Sequence, residues 1–217
     1  MLKKVNLCNP INYGGLRAGP VKYIVIHYTA GNGDTDENNA AYFARADTGK
    51  TSAHWFVDDD SATLSVPEDR VAYHCGAAVY YHSECRNSNS IGVELCSILR
   101  NGSYCFTDAT LDNARELVRE LMARYQVPIE NVVRHYDVTH KICPAPFCGK
   151  GQQAWEEFKG GLIMYQKIEN VPDWAKATVQ KLVDRDLLLG DGSGNLNLSQ
   201  DMTRILVILD RAGAFEK

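Results

Sequence analysis

Apolar and polar positions along the chain fall into two periods, and the switches between them outline its elements. Val21-Lys22-Tyr23-Ile24-Val25-Ile26 is a nearly unbroken apolar run, which predicts a buried strand ending at His27. The stretch from Asp36 to Asp47 predicts a helix with Ala40, Ala41, Phe43 and Ala44 facing inward. Ala53-His54-Trp55-Phe56-Val57 reads as a strand, Asp58-Asp59-Asp60-Ser61 as a polar turn, and Ala62-Thr63-Leu64-Ser65-Val66 as the next strand. Ser90-Ile91-Gly92-Val93-Glu94-Leu95-Cys96 predicts another, with the unusual feature of a glutamate inside an apolar run. Thr107 or Asp108 can cap a long helix with Leu111, Ala114, Leu117, Val118, Leu121 and Met122 at helical spacing. That helix should stop near Gln126, because Val127 precedes Pro128. Strands and helices mixed in this order predict an α/β fold, a central mixed β-sheet flanked by helices.

Gly149-Lys150-Gly151 and Gly160-Gly161 bracket a short helix, Gln152 to Lys159, that closes the first domain. The predicted division is residues 1–162 and a small helical module over residues 163–217. In the module, Pro172-Asp173-Trp174 opens a helix with Ala175, Val179, Leu182 and Val183 on one side. Gly190-Asp191-Gly192-Ser193-Gly194-Asn195 forms a loop, and a second helix from about Ser199 carries Ile205, Leu206, Ile208 and Leu209. Two helices bury little surface alone. The module is therefore expected to lean on the first domain, on a second copy of the chain or on a ligand.

Hydrophobic residues make up 45% of the chain and charged residues 23%, which places it among ordinary globular proteins. The formal charge of -4 argues against nucleic-acid binding through phosphate neutralisation. No apolar run approaches the length of a membrane span. Two lysines near Met1 have no long apolar stretch behind them, so a signal peptide is not expected and synthesis in the cytoplasm is. Seven cysteines in a reducing compartment favour free thiols. Cys75 and Cys85, which flank a tyrosine-rich loop, are the first pair to test for a bridge.

The chemistry concentrates in Arg134-His135-Tyr136-Asp137-Val138-Thr139-His140-Lys141-Ile142-Cys143-Pro144. With His27, residues His135 and Cys143 offer two nitrogens and one sulfur, a donor set suited to zinc. Three protein ligands leave a fourth tetrahedral position open, as catalytic zinc sites do. Such a site needs a base to manage a proton and a positive charge for the developing oxyanion. Glu94 is the best-placed carboxylate for the first task. Lys141, two residues before Cys143, projects to the same side in an extended segment and serves the second. A cysteine hydrolase using Cys143 with a histidine base is the rival chemistry, disfavoured by Pro144 and the second histidine. His54 is open between orienting a metal ligand and filling the core. Asp137 is equally open between a local cap and an acceptor behind the metal site.

His27-Tyr28-Thr29, Val71-Ala72-Tyr73-His74-Cys75-Gly76, Ser90-Ile91-Gly92-Val93-Glu94 and the segment from His135 to Pro144 resemble, in order and spacing, the type-2 N-acetylmuramoyl-L-alanine amidases. These include phage endolysins, bacterial wall amidases and peptidoglycan recognition proteins. The resemblance covers about residues 20–160. It implies a zinc amidase cutting the bond between N-acetylmuramic acid and the L-alanine of the stem peptide, with bacterial peptidoglycan as its partner. By that resemblance His27, His135 and Cys143 hold the metal, Glu94 and Lys141 act in catalysis, and Tyr28, Thr29 and His74 meet the substrate. Some relatives place a catalytic tyrosine where this chain has Ala53, which shifts the proton-handling role to Glu94. A non-catalytic peptidoglycan-binding protein of the same fold is the alternative, and Cys143 weighs against it. The C-terminal stretch from Ile168 to Arg204 is similar to one S-layer-homology repeat. That similarity implies attachment to a secondary wall polymer, with Trp174 and Arg204 as contacts, or self-association of the module.

Overall fold

A computed structural model describes residues 1–216, which fall into two compact units, 1–156 and 157–216. The break lies inside a helix, six residues before the boundary expected from the glycine pair. In the first unit the strands are β1 (Leu2–Val5), β2 (Tyr13–Leu16), β3 (Tyr23–Tyr28), β4 (Trp55–Val57), β5 (Ser61–Leu64), β6 (Arg70–Ala72), β7 (Ser90–Leu95), β8 (Ile98–Arg100), β9 (Ser103–Cys105) and β10 (Val132–Arg134). The helices are α1 (Asp36–Phe43), α2 (Asp108–Tyr125), α3 (His135–Thr139) and α4 (Gln152–Gly160), the last running across the break.

Six strands form one mixed sheet in the order β1-β5-β4-β7-β3-β10. Only the β4–β5 pair is antiparallel; β1–β5, β4–β7, β7–β3 and β3–β10 run parallel. Neither β7, at the centre of the sheet, nor β3, between β7 and β10, is an edge strand, and their near-continuous apolar character fits burial on both faces. Along β3 the side chains alternate, so Tyr23, Val25 and His27 share one face while Ile24 and Ile26 take the other. Tyr23 and Val25 join Val133, Val138, Cys75 and Cys85 in one buried cluster. His27 therefore continues a core stripe to its end.

The helix α2 packs against β3, β4, β5 and β7. Thr107 caps it by accepting from the Thr110 N–H, and Ala114, Leu117, Val118 and Leu121 are buried on its inner face. Gln126, in the left-handed region, closes it at the expected place. By contrast α1 ends four residues early. The side-chain amide of Asn12 donates to the carbonyls of Phe43 and Arg45, which turns the chain out of the helix, and Ala41 is left exposed. The short strands β1 and β10 escape the sequence pattern. β10 matters most, because it sets Arg134 opposite Ile26 and delivers His135 beside His27.

In the second unit β11 (Met164–Tyr165) and β12 (Leu198–Ser199) pair antiparallel, and α5 (Asp173–Asp184) packs on α6 (Gln200–Arg211). Val171, Ala175, Val179, Leu198 and Val207 form its core. The buried face of α6 does not follow its aliphatic positions alone. Thr203 and Val207 are buried one turn apart, whereas Ile205 and Ile208 are exposed and Leu209 is 40% exposed. The Thr203 hydroxyl is absorbed by the Ser199 carbonyl, so a polar residue can occupy an inward position. All seven cysteines are free, and the side chains of Cys75 and Cys85 lie together in the core without a bridge.

Candidate metal centre

His27, His135 and Cys143 converge at the C-terminal end of β3, with one donor atom from each within 4.8 Å of the others. Three different local devices bring them there. Strand pairing fixes His27. The β10–α3 junction fixes His135, since Asp137 accepts from both the Arg134 backbone N–H and the Arg134 guanidinium and so starts α3 at His135. Cys143 is tied back by its own carbonyl, which accepts from the Tyr136 N–H at 2.8 Å. Arg134, itself buried, also donates to the Phe147 carbonyl and to Gln152, clamping the segment that follows Cys143. Asp137 is thus a local cap that also anchors this arginine.

The donors suit a divalent cation. Burial pushes His27 well below its ordinary pKa, helped by His74 and His135, and burial with nearby Lys141 lowers His135 to about 4. Both rings are therefore neutral at pH 7 with a lone pair to give. Burial raises the Cys143 thiol to about 12, a value that a bound cation reverses by stabilising the thiolate. His27 Nδ1 lies 3.6 Å from Cys143 Sγ, and His135 Nδ1 is buried with no hydrogen-bond partner. Three buried, mutually close donors, one of them unsatisfied, fit a metal site better than a packed core.

Glu94 faces this group because β3 and β7 pair in parallel with His27 opposite Glu94. Its Oε1 is 4.0 Å from His27 Nδ1, and its Oε2 is buried without a partner. Burial raises its pKa to about 8, Lys141 opposing and Asp34 adding to the rise. Lys141 is exposed and lines the same cavity of about 500 Å3 as His27, Glu94 and Cys143. An adjoining hollow of about 550 Å3 holds Lys50, Asn87, His135 and His140 and shares Thr51, Tyr73, His74 and Lys141 with the first. Together they make an open groove running past the donors.

Tyr28 and Thr29 line the groove, but the Thr29 hydroxyl is donated to Asp34 and the Tyr28 ring meets Tyr104 edge-on. His74 lines both hollows, with Nδ1 3.0 Å from His27 Nε2 and Nε2 3.1 Å from Ser90 Oγ. Both of its nitrogens are occupied by protein groups. His54 stays in the core: its Nδ1 accepts from the Gly92 N–H and its Nε2 faces the Arg70 carbonyl and the Arg17 guanidinium. Tyr73, beside His74 in its motif, lines the cavity as well; Asn39, Tyr42 and Ser52 also line it and carried no signal in the sequence, because they arrive from α1 and a separate loop. Asn87 accepts from the backbone N–H groups of His74 and Cys75 and so fixes the loop that carries His74.

Sheet topology and donor set together define an α/β domain with three clustered donors, able to hold a metal ion, in an open groove at the C-terminal end of β3. The chain belongs to the N-acetylmuramoyl-L-alanine amidase family, whose profile matches residues 17–146. It is 40% identical over 147 residues to the N-acetylmuramoyl-L-alanine amidase CwlL of Bacillus licheniformis, covering 64% of this chain and 40% of that protein. A probable N-acetylmuramoyl-L-alanine amidase of the same organism is 31% identical over 217 residues, covering 95% of this chain and 60% of its own length. Among solved structures, the catalytic domain of XlyA superposes with a TM-score of 0.62 at 28% identity, covering 75% of this chain and all of that domain. PlyL does so with a TM-score of 0.61 at 30% identity, covering 75% of this chain and 97% of its own. The chain spans 40–60% of the length of these curated relatives.

Proposed function

We propose that this chain is a zinc-dependent peptidoglycan hydrolase of the endolysin type, cleaving the amide between N-acetylmuramic acid and L-alanine. The observation that carries this is the convergence of His27, His135 and Cys143 in a groove that also holds Glu94 and Lys141. Zinc held by the three donors supplies Lewis acidity toward the reacting carbonyl and toward water. Glu94 takes a proton from the attacking water as the new C–O bond forms on the lactyl carbon. It then returns that proton to the alanine nitrogen as the C–N bond breaks, leaving a lactyl carboxylic acid and a free peptide amine, and the acid's remaining proton passes to the amine or to solvent. Lys141 offsets the negative charge that gathers on the carbonyl oxygen in between. The second unit serves as a wall-attachment element of the S-layer-homology type, binding a secondary wall polymer or pairing with a second copy. Such a hydrolase is made in the cytoplasm and acts on the wall after release; among the described residues no helix is long and apolar enough to cross a membrane.

The test is mass spectrometry of purified peptidoglycan after digestion, with and without a chelator. Free stem peptides beginning with L-alanine, lost on chelation and restored by zinc, support the proposal. Intact peptidoglycan with the protein merely bound would replace it with a recognition role, and cleavage that survives chelation would point to Cys143 as a nucleophile.

A further inference from the structure

Behind His27 the structure contains a short chain of polar groups that leads away from the groove and ends on the backbone. His27 Nε2 is 3.0 Å from His74 Nδ1, and His74 Nε2 is 3.1 Å from Ser90 Oγ. The Ser90 hydroxyl donates to the Arg86 carbonyl at 2.7 Å. The direction of every bond follows from that last acceptor. A carbonyl only accepts, so the single Ser90 proton is committed to Arg86 and the hydroxyl oxygen must accept from His74 Nε2–H. A neutral imidazole donates through one nitrogen and accepts through the other. His74 Nδ1 is then an acceptor, which requires the proton of His27 to sit on Nε2 and leaves His27 Nδ1 bare. That bare nitrogen is the one 3.6 Å from Cys143 Sγ.

We propose that His74 and Ser90 are positioning residues that hold His27 in the tautomer whose Nδ1 faces the metal. This rests on the metal reading of the site and assigns His74 a role other than contact with substrate.

Two neighbouring features support the assignment, since each fixes the ring rather than the groove. A Cβ at Gly92 would lie 2.6 Å from His74 Cγ, so the ring is seated directly on the bare backbone of β7. Asn87 holds the His74 and Cys75 backbone N–H groups, and Arg86 in turn is held by Asn89 and by the carbonyls of His82 and Cys85. The terminal acceptor is therefore rigid, and the Ser90 side chain is fully buried. Partners of this kind commonly contribute 10–100-fold to metal affinity.

The experiment has two readouts, neither of them turnover. Long-range proton–nitrogen spectra of histidine-labelled, metal-free protein should show His27 protonated at Nε2 and bare at Nδ1 in the wild type. In Ser90→Ala and His74→Phe the His27 nitrogens should move toward averaged, exchanging values. Zinc affinity, measured by competition with a chromophoric chelator, should fall roughly 10–100-fold in His74→Phe and about tenfold in Ser90→Ala, while Ser90→Thr stays near wild type. Gly92→Ala, which displaces the ring without changing its chemistry, should fall with His74→Phe. Circular dichroism checks folding, and Ser90→Ala decides the matter if His74→Phe does not fold. A wild-type His27 protonated at Nδ1, or unchanged zinc affinity in folded Ser90→Ala and His74→Phe, would overturn the proposal. The nitrogen spectra decide the tautomer even for a protein that takes up no zinc, a result that would sink the metal reading instead.

Discussion

Glu94→Gln should make the metal-free protein more stable and the enzyme nearly inactive, and both effects come from the same burial. In the fold the Glu94 carboxyl ionises near 8 rather than 4.5, chiefly because burial disfavours its charge. The unfolded chain gives up that proton near the usual value, so the contribution of the protonated carboxyl to stability is complete below 4.5 and is lost as pH rises through 8. The full difference corresponds to about 5 kcal/mol at 1.36 kcal/mol per unit. Glu94 keeps 21% of its side-chain surface in solvent and has Lys141 as a partial counter-charge, so about 2 kcal/mol is the figure to expect after screening. In chelator, thermal unfolding at about pH 9 should place Glu94→Gln some 4–8 °C above the wild type, with the two close together at about pH 5. With zinc restored, turnover of peptidoglycan should fall about 10²–10⁴-fold while zinc content is kept. Equal midpoints at the higher pH, or a variant less stable there, would mean that the carboxylate is well solvated and that the burial argument is wrong. Unchanged turnover would remove Glu94 from the reaction.

Three further outcomes follow from the same geometry. Lys141→Met should retain stoichiometric zinc yet lose about 10²–10³-fold in kcat, as loss of an oxyanion partner does, and wild-type turnover would exclude Lys141 from that task. Zinc should raise the melting midpoint of the chelator-stripped wild type but not that of Cys143→Ser at equal concentration, because binding to the folded state alone stabilises it; an equal rise in both would show that Cys143 is not a ligand. Leu117→Ala, at a fully buried position of α2 that lines neither hollow of the groove, should cost about 2–5 kcal/mol in urea denaturation and leave zinc affinity unchanged. A change in affinity of the folded variant would show that the helix face and the site are coupled.

What the sequence reveals of this site depends on how local each device is. His27 and Glu94 can be read because each interrupts a strong apolar run, and Cys143 and Lys141 because they sit close together beside a histidine. α2 can be read to within a residue because its cap, its apolar stripe and its stop are all local. The strand β10 cannot, since three residues carry no period, and yet its pairing with β3 is what sets His135 against His27. Nor can the face of α6, where a Thr203 hydroxyl satisfied by the turn before it takes an inward position.

The role of His74 lies furthest out of reach. A histidine in a loop next to a substrate groove invites a reading as a ligand contact, and the positioning role proposed for it rests on the parallel register of β3 and β7. Tyr23 pairs with Ser90 and Val25 with Gly92, so the hydroxyl that accepts from His74 and the bare backbone beneath its ring both lie on the strand next to His27. On that proposal the tautomer of His27, at the end of one strand, is set by the start of its neighbour, four residues upstream of Glu94. On these proposals the Ser90-Ile91-Gly92-Val93-Glu94 segment serves the site three times over: a hydroxyl to orient, a missing side chain to make room, and a carboxylate to move a proton.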